Sequence, residues 1–536
     1  MVVHRLRAAR VSSAALKASR MALAAMIVGA AGQGTLRAQT YFVDPLGSDA
    51  NPGTSALPWR TLQRAANQVG PGATVNVRPG NYVGFHLDED HDGAVGNPLT
   101  FLAQPGARIT QRNATTLDGI NLEGASHVVI DGFEVTGPMR AGVRAVLGEF
   151  VTVRNVHAHD NDRWGIFTGF VDNLLIENNE TSGSREEHGI YVSNSGDDPI
   201  IRRNISWGNH GAGIHMNGDV SQGGDGIISR ALVSGNVIYG NAANFGSGFG
   251  GGSGINMDGV QDSRIENNLL FNNHASGISL YREDGGIGGS RNNIVVNNTV
   301  HQPADSRWAL NIQQDSIGNT VRNNILLNDD SLSGAIDVSE EGRAGLLSDF
   351  NRVVSRFATL EGDEELYLDL PEWRTLTGQD VNSLAVSSTS ALFVNWQAGD
   401  YRLKAGSPAL NAGTNASAPS VDLHGVPRPP GGVDVGALEM STLAAADFNM
   451  DGAVGGSDLA AWRTNFGRRG AATRAWGDAS ADFRTNGHDF LLWQRQVTPG
   501  GGSTAVPEPA TGALAVLGVA MARLCRRGRS RVKSLL

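Results

Sequence analysis

Short runs of β-branched and apolar residues, bounded by Gly or Asn, dominate the chain from about residue 74 to 340. Val151-Thr152-Val153 and Leu174-Leu175-Ile176 are typical. A Gly followed by a branched apolar residue recurs at Gly142-Val143, Gly165-Ile166, Gly189-Ile190, Gly213-Ile214, Gly254-Ile255 and Gly277-Ile278, in steps of 23, 24, 24, 41 and 23 residues. A second beat is Asn, at Asn155, Asn178-Asn179, Asn204, Asn236, Asn267-Asn268, Asn297-Asn298 and Asn323-Asn324. Strand-length runs at this period are too short for helix pairs, and they predict one strand per run with a turn at each Gly or Asn.

Such a repeat buries its apolar positions only by coiling. Each turn of chain stacks on the last at about 4.8 Å, so corresponding runs form parallel sheets along the coil axis. Branched residues stack inside, and Gly and Asn take the corners where positive φ is needed. The 41-residue step marks a turn with insertions, which carry Asp219–Ser229 and the Gly-rich 244–253. The pattern resembles the right-handed parallel β-helix of the pectate-lyase-like superfamily. The fold class expected is therefore all-β, a right-handed parallel β-helix solenoid over 74–340. An N-terminal cap is expected over 39–73, where Leu62, Ala65, Ala66 and Val69 share one face of a short helix. A closing segment is expected over 341–440, with Gly399-Asp400-Tyr401-Arg402-Leu403 and Asp434-Val435-Gly436-Ala437-Leu438-Glu439 similar to segments that follow bacterial surface β-helices.

Composition narrows the chemistry. The 536 residues include 70 Gly and carry a formal net charge of −10, which argues against a nucleic-acid partner. Cys525 is the single cysteine, so no intramolecular disulfide or cysteine metal site exists. The lysines are Lys17, Lys404 and Lys533, so no lysine base is available between Lys17 and Lys404.

The ends read as addresses. Residues 1–38 combine Arg5, Arg7, Arg10, Lys17 and Arg20 with the apolar stretch Met21–Ala31, as a secretory signal does. Over 501–536, Val506-Pro507-Glu508-Pro509, the apolar Ala510–Leu524 and an Arg-rich end resemble the PEP-CTERM sorting signal. That resemblance implies a C-terminal sorting protease and delivery to the surface or matrix of a Gram-negative bacterium.

Residues 441–500 carry a different pattern. Asp447, Asn449, Asp451 and Asp458 stand at positions 1, 3, 5 and 12 of a loop with Gly452 at position 6. Oxygen donors at this spacing suit Ca²⁺. The pattern returns 31 residues on at Asp478, Ser480, Asp482 and Asp489, with Phe483 where Gly belongs. A helix-forming run follows each loop, with Trp462 and Trp493 at matching places. The duplicated unit resembles a dockerin, which implies Ca²⁺ as cofactor and a cohesin-like or cell-surface partner.

Alternation along each strand points the residue after each Gly-Ile outward. One outward row is then Arg144, Phe167, Tyr191, His215, Asn256, Ser279 and Asn311; a second is Ser193, Asn217, Asp258, Tyr281 and Gln313. Solvated polar rows are ordinary, but His188, Tyr191, His215, Asn217, Asp219, Asn256, Asp258 and Arg282 crowd into neighbouring turns beside the longest insertions. The catalytic candidates are His188, Tyr191, His215, Asp219, Asp258 and Arg282; the substrate-binding candidates are Asn217, Asn256, Tyr281 and Asn311. His215 is expected to act as a base with a carboxylate nearby to set its tautomer, and His188 or Tyr191 as its partner. A groove of aromatics and amides suits an extended sugar chain, and the superfamily resemblance implies lyases, hydrolases and epimerases on polysaccharides. Three readings stay open: a lyase or epimerase on a uronate polysaccharide, with Arg282 or a second Ca²⁺ in the cleft neutralising the carboxylate; a hydrolase using Asp219 and Asp258; and a glycan-binding protein without catalysis.

Overall fold

The computed structural model describes residues 39–242, 253–468 and 470–497. The secretory and sorting segments and the Gly-rich insertion lie outside these residues. The chain coils through three sheets of 12 strands each. Each coil contributes a strand to the first sheet (Thr40–Val43 to Leu347–Asp349), then the third (Gly80–Val83 to Leu384–Ala385), then the second (Phe85–Asp88 to Phe357–Glu361, with Glu364–Leu368 added). Within these three sheets pairing is parallel except where Glu364–Leu368 folds back on Phe357–Glu361. A helix long and apolar enough to cross a membrane is not found among the described residues.

The Gly-Ile repeat sets the interior. Ile166, Ile190, Ile214, Ile255, Ile278 and Leu310 are consecutive partners in register, and all are fully buried. Fully burying one such side chain stabilises by about 1.5–3 kcal/mol, and the stack repeats it on every coil.

The Asn beat divides two tasks between neighbours. Asn178, Asn267, Asn297 and Asn323 turn the corner with φ of 53–59°. The residue after each points inward and stacks on the next coil. Asn179, Asn204, Asn236, Asn268, Asn298, Asn324 and Asn351 form a buried ladder, each amide Nδ2 donating to the next Oδ1 at 2.9–3.2 Å. Each Oδ1 also accepts a backbone N–H from the preceding coil, as Asn268 does from Asn236 at 3.0 Å. The ladder satisfies corner amides that no sheet reaches.

The coil is longer than its repeat. Thr40–Val43 pairs with Thr74–Val77, so the expected cap already belongs to the first sheet. Helix α1 (Leu62–Ala66) does sit there, with Leu62, Ala65 and Ala66 buried and the Thr61 hydroxyl accepting from Arg64 N–H. At the other end, strands continue to Leu384–Ala385 within the expected closing segment. The end of the core is covered by helix α2 (Leu370–Thr377), whose fully buried Trp373 stacks on Phe357 with centroids 5.1 Å apart.

Residues 392–440 do not close the end; they lie along the flank of the third sheet. The reason is a change in one outward column of that sheet. It runs Arg108, Glu134, His157, Glu180 and then Ile205, Val237, Leu269, Thr299, Ile325. The apolar half needs cover, and Leu392, Phe393, Tyr401, Leu403, Ala409, Leu423 and Val435 form a second core with it. Corner amides fix the segment: Asn297 Nδ2 donates to Asp434 and Gly436 carbonyls, and Asn323 Nδ2 to that of Thr414.

Asn268→Ala would leave the Asn236 N–H and amide without their acceptor and the Val233 carbonyl without its donor. Unfolding free energy measured in urea should fall by about 2–4 kcal/mol. A change under about 0.5 kcal/mol would show that the ladder contributes nothing beyond an exposed polar row.

Candidate functional site

The second sheet leaves its outward face uncovered by the closing segment, and the two rows expected from the alternation are in register there. Phe167, Tyr191, His215, Asn256, Ser279 and Asn311 are successive partners. Ser193, Asn217, Asp258 and Tyr281 are successive partners two residues on. The first row extends one coil further to Asp337, which the Gly-Ile beat did not reveal because its coil reads Gly334-Ala335-Ile336. Burial pushes the Asp337 carboxyl up to about 6.

The centre is an aromatic cluster. Tyr191 stacks on His215 with centroids 4.9 Å apart and 22° between planes. His188 meets both edge-on, at 5.2 Å from Tyr191 and 4.5 Å from His215. Trp164 and Phe167 continue the patch on the preceding coil, 4.5 Å apart. Trp164 Nε1 donates to Glu187 Oε2 at 2.6 Å, and Arg163 pairs with the same carboxylate.

The two histidines form a relay of fixed direction. His188 Nδ1 accepts the Ala212 backbone N–H at 2.9 Å. A backbone N–H can only donate, so Nδ1 holds a lone pair and the His188 proton is on Nε2. That proton is donated to His215 Nδ1, 2.8 Å away. In neutral His215 the remaining proton is then on Nε2. This atom is shielded from solvent and has no hydrogen-bond partner among the described residues. Burial lowers His215 to about 4, and burial followed by the charge of His215 lowers His188 well below 6.5. Both rings are neutral at neutral pH, and His215 presents a donor. The partner that sets its tautomer is His188 rather than the expected carboxylate, and the tautomer set is that of a donor rather than a base.

The other candidates divide by what they touch. Asn217 Nδ2 donates to the Tyr191 hydroxyl at 3.2 Å, and its Oδ1 is buried without a partner among the described residues. Asn256 Nδ2 donates to the Tyr281 hydroxyl at 2.8 Å. Burial raises both tyrosines above their ordinary value. Asn311 accepts from Gln313 Nε2 at 3.0 Å. Asp258 is 1 % exposed, and its two oxygens accept the backbone N–H groups of Glu283, Asp284 and Gly285 at 2.8–3.1 Å. Asp219 caps a short 3₁₀ turn by accepting from Ser221 N–H at 2.8 Å. Arg282 pairs with Asp315 at 3.2 Å. Asp219 and Asp258 therefore hold turns beside the groove, while His188, Tyr191 and His215 are in mutual contact and Asn217 joins them through the Tyr191 hydroxyl.

The C-terminal loops form two matching loop–helix units, with helices α3 (Gly456–Asn465) and α4 (Gly487–Gln496). Trp462 Nε1 donates to the Asn486 carbonyl at 2.8 Å, and Trp493 Nε1 to that of Gly455 at 2.9 Å. This exchange makes the pair pseudosymmetric. In the first loop Asp458 accepts from the Phe448, Asn449 and Gly455 N–H groups, and Asp447 from those of Asp451 and Gly452. In the second, Asp489 accepts from the Ala479, Ser480 and Asn486 N–H groups, and Asp478 from those of Ala481 and Phe483. Phe483 adopts φ of 62° where Gly452 has 90°, so the second loop keeps the left-handed bend without glycine. Its side chain is buried in the second core with Leu423 and Ile205. Arg484 reaches Glu180 through both amino nitrogens at 2.8 and 3.1 Å. The departure from glycine thus serves docking on the third sheet. Asp478, Asp482 and Asp489 place one oxygen each within 4.8 Å of one another, a donor set of the kind that holds a hard cation.

Residues 41–302 match the family model for the Pel9A-like, right handed beta helix region. The uncharacterized protein YwoF of Bacillus subtilis (strain 168) is 24 % identical over 359 residues, covering 54 % of this chain and 75 % of that protein. Among solved structures, pectate lyase Pel9A aligns with a TM-score of 0.52 and 17 % identity over 75 % of this chain and 96 % of that one. A rhamnogalacturonan lyase aligns with a TM-score of 0.43 and 18 % identity over 56 % of this chain and 84 % of that one.

The depressed histidine pair has a consequence for stability. The unfolded chain binds protons on these rings near pH 6.5, while the folded His215 stays neutral to about 4. Stability from this pair is therefore fully present above pH 6.5 and declines as pH falls toward 4. Replacing His215 by Gln should flatten that part of the pH–stability curve, and imidazole ¹⁵N spectra at pH 7 should place the His215 proton on Nε2. A proton on Nδ1 would break the relay as described. The match over residues 41–302 and the three long parallel sheets together identify this chain as a right-handed parallel β-helix protein similar to the Pel9A-like family.

Proposed function

We propose that this chain is a polysaccharide-active β-helix protein that carries out β-elimination or epimerisation on an anionic, uronate-containing polysaccharide. The observation that carries the reading is the neutral His188–His215 relay, which ends in an unpartnered Nε2–H on the ring that stacks against Tyr191. Removing the C5 proton of a uronate places negative charge on its carboxylate. A neutral imidazole N–H held in place stabilises that charge without an ion to desolvate. Tyr191 is the proton-transfer group in this reading: as a phenolate that accepts from Asn217 it takes the C5 proton, and as the phenol it returns a proton to the departing glycosidic oxygen or to C5 from the other face. The Trp164–Phe167–Tyr191 patch supplies a face on which sugar rings stack. The pectate lyase named among the similar folds acts on a substrate of this kind, and that likeness is one of fold.

The hydrolase alternative draws less support, because Asp219 and Asp258 both hold turn amides. For the C-terminal module we propose Ca²⁺ in both loops, held by Asp447, Asn449, Asp451 and Asp458 in the first and by Asp478, Ser480, Asp482 and Asp489 in the second. Secretion, sorting by a C-terminal protease and a cohesin-like or surface partner belong to the same proposal.

Incubation with alginate, pectin and related chains should generate ultraviolet-absorbing C=C ends, or altered uronate stereochemistry by NMR. His215→Ala and Tyr191→Phe should each lower turnover by about a hundredfold or more. The acid limb of the profile should fall near pH 4, where His215 gains its proton, and not near 6.5. New reducing ends without C=C would favour the hydrolase, and binding with neither product would favour a glycan-binding protein. Separately, calorimetry on the full chain should register two Ca²⁺ sites, one lost in Asp458→Asn and the other in Asp489→Asn. No heat from Ca²⁺ would end the calcium reading.

A further inference from the structure

The charged half of the outward column on the third sheet holds a second constellation, apart from the groove and from the calcium loops. Glu134 and His157 are partners on adjacent coils, as are Thr136 and His159. Glu134, His157 and His159 bring one ligand atom each within 4.8 Å of one another. The two imidazoles stack with centroids 4.1 Å apart.

The orientation of the His159 ring is set by its neighbours. His159 Nδ1 lies 2.7 Å from Asp160 Oδ2. A carboxylate only accepts, so Nδ1 carries a proton, and Nε2 is the ring nitrogen left to face Glu134. Nε2 is shielded from solvent, makes no hydrogen bond among the described residues, and lies 3.5 Å from Glu134 Oε1. A ring nitrogen and a carboxylate oxygen at that separation are held together by a proton or a metal ion between them, and the stacked His157 ring brings a third donor atom to the same place.

We propose that Glu134, His157 and His159 form a two-histidine, one-carboxylate site for a divalent transition-metal ion of the zinc type, which clamps two adjacent coils of the third sheet. Two imidazoles and a carboxylate match zinc, whereas Ca²⁺ takes oxygens alone. Ligands about 2.0–2.1 Å from a tetrahedral ion stand roughly 3.4 Å apart, close to the separation already present between Nε2 and Oε1. Asp160 is placed as the carboxylate that orients a ligating histidine through its other nitrogen. The competitor for Glu134 is Arg108, whose Nε lies 3.1 Å from the same oxygen. Its side chain is 53 % exposed, and an ion pair so open to water holds only weakly. The next residue along the column, Glu180, is the one held by Arg484, so the clamp stiffens the coils on which the C-terminal module docks.

The test uses the full chain, stripped by chelator and kept in excess Ca²⁺ so that oxygen-only loops are filled. Titration with Zn²⁺ by calorimetry should give one site per chain and raise the melting temperature, and Co²⁺ should give the visible absorption of a tetrahedral nitrogen–oxygen site. His159→Ala should abolish both signals. Asp160→Asn, a change at an exposed residue, should weaken Zn²⁺ binding about 10–100-fold. Failure of Zn²⁺ and Co²⁺ to bind overturns the proposal, as does binding that survives His159→Ala or is unchanged in Asp160→Asn. So does an imidazole spectrum with His159 protonated on both nitrogens at neutral pH and unmoved by Zn²⁺. None of these readouts involves a polysaccharide, so the site stands or falls apart from the groove.

Discussion

Everything in this molecule depends on each coil repeating the backbone hydrogen bonds and the inward side chain of the coil before it. Parallel strands cannot turn tightly, so every coil must spend residues on corners, and corners carry amides that the sheets do not satisfy. The Asn ladder resolves this by lending each coil a side-chain oxygen as acceptor and an amide as donor. Once corners are fixed, inward and outward positions are fixed for every strand, because a slip of one residue would turn Ile255 out and Asn256 in.

That alternation makes each outward column an independent surface, and the columns have different fates. On the third sheet the column changes from Glu180 to Ile205, and the apolar part takes cover from the closing segment and the paired loop–helix units. On the second sheet the column remains polar and aromatic, from Phe167 through Tyr191 and His215 to Asn256, and stays uncovered by that segment. The proposed groove and the docked module are consequences of one strand period read on two faces.

Much of this was legible in the chain. The Gly-Ile steps gave the coil, its inward stack and the in-register rows that hold Tyr191, His215, Asn217 and Asp258. The extent of the coil was less legible, since the last turns around residues 341–385 lack the Gly-Ile beat and are held by Trp373 and by backbone pairing instead. The flank position of residues 392–440 was written in Ile205, Val237 and Leu269, which alternate outward, but only their partners identify them as an interface.

The sequence by itself determined periodicity, because side-chain alternation follows from strand geometry alone. It also determined which residue types share a row. Only the tertiary structure decided how neighbouring groups divide their hydrogen bonds. The Ala212 N–H, brought against His188 by the next corner, makes the His188–His215 pair a donor relay. The amides of residues 283–285 turn Asp258 into an anchor. Phe483 stands where a loop needs glycine because the third sheet needs its ring. Protonation and role depend on which lone pairs meet across coils, and that meeting depends on corner conformations and insertions that no spacing along the chain encodes.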